Sequence, residues 1–376
     1  MEASRETAGP NRRAARHRRR RRTTWIAAGV ALLALVAASV AGWAIIRDGD
    51  GDDEVATRAV KPAAPVTTTE PAPTTTVPPT VPPTTTPPAP PGPPFALGIT
   101  RTEVEDTTRG TMARGPTAAS ATRRIPLTIY YPTAGAATNA LAENAPSAAG
   151  TFPLMIFAHG YSITAADYDP LIRDLAAGGW IVVAPDFPIS SLVFPGPASQ
   201  ADLPNQAKDV TFLIDVLTNP ATVPGVLQGH IAPVKVAIAG HSDGGVTAAA
   251  ASGHSCCLDP RIGASAAYAG DQGGSLFKGE WFQPNASPQL FIHGTADGDV
   301  PYSYSQKLYA DTVVTRMLVS IPGAVHWDPF VTGPQRASVV KLTHDFFRAH
   351  ILGDAAATAR LPADANEGGL RLEASE

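Results

Sequence analysis

The sequence predicts an α/β domain, a mostly parallel central sheet flanked by helices, over residues 95–352 of a 376-residue chain. Two observations predict it. Apolar runs of strand length recur at FPLMIFAHG (152–160), WIVVAPDFP (180–188), VKVAIAGHS (234–242), IGASAAYAG (262–270), PQLFIHG (288–294) and RMLVSIPG (316–323). They show no strict apolar-polar alternation, as expected of strands buried on both faces. Between most of them lie segments of helical spacing: AADYDPLIRDLAAGG, PNQAKDVTFLIDVLTN, GGVTAAAASG, YSYSQKLYADTV and PQRASVVKLTHDFFRAHIL. Strands alternating with helices imply crossovers that join parallel strands.

Ahead of that domain the composition forbids a core. Residues 1–24 carry nine arginines, including Arg18 to Arg22, and read as a basic cytoplasmic tail. Residues 25–46, WIAAGVALLALVAASVAGWAII, hold no charge. At the helical rise they reach about 33 Å, enough to cross a hydrocarbon layer of about 30 Å. Arginine before the segment and RDGDGDDE after it place the amino terminus inside and the rest of the chain outside. The segment is thus expected to be a single transmembrane helix, a signal anchor, and the domain a membrane-tethered extracellular one. The alternative is a signal peptide cleaved near Ala41, since Ser39-Val40-Ala41 has the small-x-small pattern.

Residues 47–94 begin acidic and become a Pro/Thr-rich linker expected to be disordered. Asp48, Asp50 and Asp52 alternate like a calcium loop, but Asp53 stands where glycine is needed and Ala59 where glutamate belongs. In extended polyproline conformation the proline-threonine stretch spans roughly 100 Å and serves as a spacer. Residues 1–47 hold ten arginines against two glutamates, so the chain's net −4 leaves −12 on the exported part, which suggests no nucleic-acid partner.

Inside the domain, TRTEVEDTTR and IPLTIYYP read as an antiparallel pair leading into the sheet, and the acidic, alanine-rich residues 353–376 as a disordered tail. The two cysteines, Cys256 and Cys257, are adjacent. Neighbouring Cα atoms lie about 3.8 Å apart, below the usual disulfide range, so a vicinal disulfide and two small buried thiols both stay open. Two cysteines are too few for zinc without distant histidines.

The chemistry is expected at the carboxyl ends of the strands. Gly240-His241-Ser242-Asp243-Gly244 follows the strand VKVAIA and precedes a helix, the setting of a nucleophile elbow. Such a turn leaves room only for hydrogen at positions 240 and 244. A serine hydroxyl needs a base, and the base a group that fixes its tautomer. Asp297, in HGTADGDVP after PQLFI, and His326, in PGAVHWDPF after RMLVS, stand in the order Ser, Asp, His. Asp299 and Asp271 are rivals for the acid.

These motifs, with FAHGYS, VVAPDFP and DPRIGASAAYAG in order, make residues 97–350 resemble an α/β-hydrolase, within it the exported esterases related to chlorophyllase, platelet-activating-factor acetylhydrolase, cutinases and polyester hydrolases. The resemblance implies that Ser242 is the nucleophile, Asp297 the acid and His326 the base. The backbone amides of Tyr161 and Asp243 would form the oxyanion hole, with Tyr161 and Trp327 as candidate walls of the substrate cleft. His159, His241 and His293 read as structural. The implied activity is a serine carboxylic ester hydrolase acting outside the cytoplasm on a lipid, polyester or small acyl ester, with no cofactor and no metal. An envelope acyltransferase with the same triad, or an inactive tethered binding module, are the alternatives. Residues 187–205 are too short for a large lid. Relatives commonly carry methionine or glutamine where this chain has Asp243, so its carboxyl is expected to turn away to a hydrogen-bond or cationic partner.

Overall fold

A computed structural model of the protein describes residues 94–376; the basic tail, the apolar segment 25–46 and nearly all of the linker lie outside the described residues. No helix among the described residues is long and apolar enough to cross a membrane. In chain order the elements are β1 (Ala96–Asp106), β2 (Arg123–Thr133), β3 (Leu141–Glu143), β4 (Leu154–Ala158), α1 (Asp169–Ala177), β5 (Ile181–Pro185), α2 (Leu203–Thr218), β6 (Val236–His241), α3 (Asp243–Gly253), β7 (Ile262–Tyr268), β8 (Gln289–Gly294), α4 (Tyr302–Asp311), β9 (Arg316–Ile321), α5 (Arg336–Ile351), α6 (Ala355–Asp364) and β10 (Arg371–Ser375).

The strands form one sheet in the order β10-β9-β8-β7-β6-β4-β5-β2-β1-β3. From β5 to β9 every neighbouring pair is parallel. β1 and β2 pair antiparallel, with Ile99 opposite Tyr130, and β2 joins β5 antiparallel. All residues of β4, β5, β6, β7 and β8 are buried, which is why these strands read as unbroken apolar runs. One face packs on α1, α5 and α6 through Leu171, Leu175, Val339, Phe346 and Leu361. The other packs on α2 and α3 through Leu203, Val210, Leu213 and Val246. α3 is buried all round, which its alanines allow, since only small side chains fit between a sheet and a second helix.

The expectation of a disordered tail fails. Asp354 caps α6 by accepting from the Ala356 and Ala357 amides. Ala357, Leu361 and Ala365, spaced i, i+4, are buried, and Arg360 holds Asp345 of α5 through two hydrogen bonds. β10 then closes the sheet edge by pairing antiparallel with β9, Leu372 opposite Val319. Three small apolar residues in an alanine-rich, acidic stretch are too weak a signal to stand out; they suffice because the sheet offers an open edge and α5 an apolar face. The open question at Cys256 and Cys257 is also decided: the two are joined, with Cα atoms 3.8 Å apart.

Candidate active site

The sheet order sets the site. From β4 the chain moves to β5 on one side and then to β6 on the other, so a crevice opens between the carboxyl ends of β4 and β6. Ser242 stands at the end of β6 and Tyr161 just past the end of β4. Ser242 has φ 58° and ψ −123°, a strained turn for a residue with a side chain, and its amide donates to Tyr268 O at 2.9 Å. The flanking glycines are forced by contact. A Cβ on Gly240 would lie 2.1 Å from Gly244 O, and one on Gly244 would lie 2.0 Å from Ala158 O. The elbow is thus wedged against β4, and a Cβ on Gly160 would itself meet the Ser242 side chain at 3.3 Å.

Asp297 and His326 come together on the loops after β8 and β9. Asp297 Oδ2 accepts from His326 Nδ1 at 2.6 Å, with the carboxylate fully buried and His326 14% exposed. The other oxygen, Oδ1, accepts from the amides of Asp299 and Val300, each at 2.9 Å. Burial pushes the Asp297 carboxyl up, but the hydrogen bonds from His293, His326 and the Val300 amide outweigh it and hold the group well below the usual carboxylate range. Of the rivals, Asp299 is exposed and lends only its amide, whereas Asp271 accepts from the Gly273 amide at 2.6 Å. Neither side chain is hydrogen-bonded to His326.

Two histidines given a plain structural reading sit deeper in the machinery. His293 Nε2 lies 3.1 Å from Asp297 Oδ2 and 2.9 Å from Val300 O, and its Nδ1 lies 2.7 Å from Ser305 Oγ. It is a second donor to the acid. His241 Nε2 donates to the backbone oxygen of His326 at 2.8 Å, which leaves its Nδ1 to accept from the Tyr168 hydroxyl at 2.9 Å. That hydroxyl in turn accepts from the Gly160 amide at 3.1 Å. Burial, then the nearby His326, lowers His241 to about 3, so it stays neutral and keeps this one tautomer. The chain Gly160, Tyr168, His241, His326 therefore ties the end of β4 to the loop that carries His326. His159 bonds to its neighbour Gly160 O at 2.7 Å and accepts from the Phe187 amide, just past β5, at 3.0 Å.

Tyr168→Phe leaves the Gly160 amide and His241 Nδ1 without their partner. We expect the melting temperature to fall by an amount matching about 1–3 kcal/mol. On an ester substrate kcat should fall on the order of tenfold with KM unchanged, because the substitution loosens the His326 loop rather than any substrate contact.

Around the serine, Tyr161 is 44% exposed and donates its hydroxyl to Ala198 O at 3.0 Å. Its amide has no acceptor among the described residues, and that of Asp243 is the first of α3, which has no partner within the helix. Trp327 is half-buried, its ring 5.0 Å from Tyr168 and 5.8 Å from His241, so it packs on the bridge just described. The loop 187–202 is pinned by Arg114, which is buried and donates to Pro188 O, Ser191 O, Gly196 O and Pro197 O. Its Gln200 donates to Asp243 Oδ1 at 2.8 Å, a hydrogen-bond partner rather than a cation. Among the described residues, two clusters have metal-like composition, His254 with Cys256 and Cys257, and Asp297 with Asp299 and His326. In the first the sulfurs are bonded to each other, and in the second both Asp297 oxygens already accept hydrogen bonds.

A serine on an elbow after one parallel strand, with a hydrogen-bonded carboxylate and histidine on the loops after the two outer strands, is the arrangement of an α/β-hydrolase. Within that class, residues 120–266 match the family model named Chlorophyllase, a segment that holds Tyr161, Ser242 and Asp243 but ends before Asp297 and His326. Chlorophyllase-1 of Arabidopsis thaliana is 32% identical over 122 residues, which is 32% of this chain and 35% of that protein. The chloroplastic chlorophyllase-1 of Citrus sinensis is 32% identical over 149 residues, 38% of this chain and 43% of the relative. The chain thus spans less than half the length of these curated relatives. Among solved structures, a ferulic acid esterase from Streptomyces cinnamoneus superposes with a TM-score of 0.55 at 18% identity, covering 74% of this chain and 97% of that one. That likeness shows the fold.

Proposed function

We propose that the protein is a serine carboxylic ester hydrolase that works through an acyl-enzyme intermediate outside the cytoplasm. One arrangement carries the reading: Ser242 sits on a strained elbow, its neighbour His241 holds the His326 backbone oxygen at 2.8 Å with the two rings 4.5 Å apart, and His326 Nδ1 is locked on Asp297 at 2.6 Å. With Nδ1–H held by the carboxylate, Nε2 is the ring atom left to take the Ser242 proton. The serine oxygen attacks the ester carbonyl, and the amides of Tyr161 and Asp243 receive the oxygen that becomes negative. His326 then returns the proton to the leaving alcohol, and water repeats the sequence in reverse to release the acid. The chlorophyllase resemblance supports ester substrates. Tethering through residues 25–46, or release after cleavage near Ala41, belongs to the same proposal and rests on the sequence pattern alone.

The full-length protein should react with one equivalent of a fluorophosphonate at Ser242, and Ser242→Ala should abolish both labelling and hydrolysis of p-nitrophenyl esters. Hydrolysis unaffected by Ser242→Ala would overturn the assignment. Acid release that gives way to acyl transfer when an alcohol is supplied would redirect it to an acyltransferase.

A further inference from the structure

Asp243 is a costly residue for its position. Its amide is one of the two proposed for the oxyanion hole, yet the residue is only 6% exposed. Oδ1 accepts from Gln200 Nε2 at 2.8 Å, and Oδ2 is buried with no hydrogen-bond partner among the described residues. No lysine or arginine pairs with it there. The groups that face it are Gln200 from the turn before α2, Asp271 from the loop after β7, His326 from the loop after β9, and Tyr161 and Tyr168 from the segment after β4. Both phenols are held neutral, by burial first and by Asp243 itself among the charges. Asp271 adds like charge. His326 is the one facing group able to carry a positive charge.

The helix amino terminus beneath Asp243 favours a carboxylate. Burial outweighs it: the carboxyl is pushed up to about 7, with Gln200 pulling down, Asp271 pushing up and His326 pulling down. Around neutrality this side chain therefore changes charge in a nearly dry pocket, beside the point where the reaction builds a second negative charge.

We propose that Asp243 acts as a neutral acid in the working site, and that its ionisation sets the alkaline limit of acyl transfer. The inference rests on the ester-hydrolase reading. As a carboxylate, Asp243 repels the oxyanion through low-dielectric surroundings that screen little. Protonated, it keeps the Gln200 contact and adds no charge. Asparagine at this position reproduces the protonated form in shape and charge.

The test is a pH profile of kcat/KM on p-nitrophenyl butyrate with the full-length protein. Wild type should lose about tenfold or more as the pH rises through about 7, and Asp243→Asn should stay flat across that range. Gln200→Leu removes a donor that favours the carboxylate and should move the alkaline limb upward; Asp271→Asn removes a like charge and should move it downward. A second readout needs no turnover. A carboxyl whose folded value is raised destabilises the protein as pH climbs from its unfolded value, about 4, to its folded one. Asp243→Asn should thus melt several degrees above wild type at about pH 8 and level with it at about pH 4. An active Asp243→Asn that keeps the wild-type alkaline midpoint, or a melting gain equal at both pH values, overturns the inference and spares the hydrolase reading. No turnover of any ester by wild type at any pH overturns that reading, and the inference with it.

Discussion

Asp297→Asn should lower kcat on the order of 10⁴-fold at the pH of the wild-type maximum while leaving the protein folded. The size follows from what each Asp297 oxygen accepts. Oδ2 takes hydrogen bonds from His326 Nδ1 and His293 Nε2, and Oδ1 takes two from the Asp299 and Val300 amides, so four donors converge on one carboxylate. Asparagine offers one acceptor oxygen and one donor nitrogen. If its oxygen faces the histidines, its NH₂ is pressed on two backbone donors. If it turns over, the NH₂ faces His326 Nδ1 and selects the tautomer protonated at Nε2, which cannot take the serine proton. The turned-over form satisfies both backbone amides and is the favoured one, so the base is lost. Asp299→Asn keeps its own amide in place and should cost less than tenfold in kcat, and Asp271→Asn should act on the pH profile more than on the maximum. Steady-state kinetics of the three variants decides the acid: a loss of 10⁴ at Asp271 with a minor effect at Asp297 would reverse the assignment.

Much of this architecture was legible because local pattern and global role coincide. The apolar runs became β4 to β9, and Gly240 and Gly244 announced a backbone approach that the structure shows as would-be contacts of 2.1 and 2.0 Å. The site's cross-links were not legible. Tyr168 meets His241 from 73 residues away, and Gln200 meets Asp243 from 43. Nothing about a tyrosine in a short turn or a glutamine in a proline-rich loop marks it as a partner until the sheet folds those segments together. His293 precedes a turn glycine and carries no mark beyond a structural one, yet its ring meets Asp297 four residues on. The carboxyl-terminal tail failed for a different reason: α6 and β10 are held by tertiary partners, with little intrinsic signal of their own.

The largest stability effect should come from a residue far from the serine. Arg123, at the start of β2, is fully buried and places its guanidinium on two buried carboxylates, Asp202 just before α2 and Asp209 within it. Arg109 adds a second cation to Asp209 and reaches back to Asp106. Burial pulls the Arg123 guanidinium down, but Asp209 and Asp202 outweigh it, so it remains charged throughout the accessible range. Arg123→Met keeps most of the volume, leaves the buried Asp202 without a cation and leaves Asp209 with Arg109 alone. We expect a loss of about 3–5 kcal/mol, read as a melting temperature lower by roughly 10 °C. Arg123→Lys should recover only part of it, because one ammonium cannot fork onto two carboxylates. The cluster ties β2 to the start of α2, the helix that carries Gln206 and follows Gln200. An Arg123 variant should therefore also loosen the Gln200 contact and move the alkaline limb of activity upward, as Gln200→Leu does. A variant that loses stability with an unshifted profile would show that the cluster supports the fold alone.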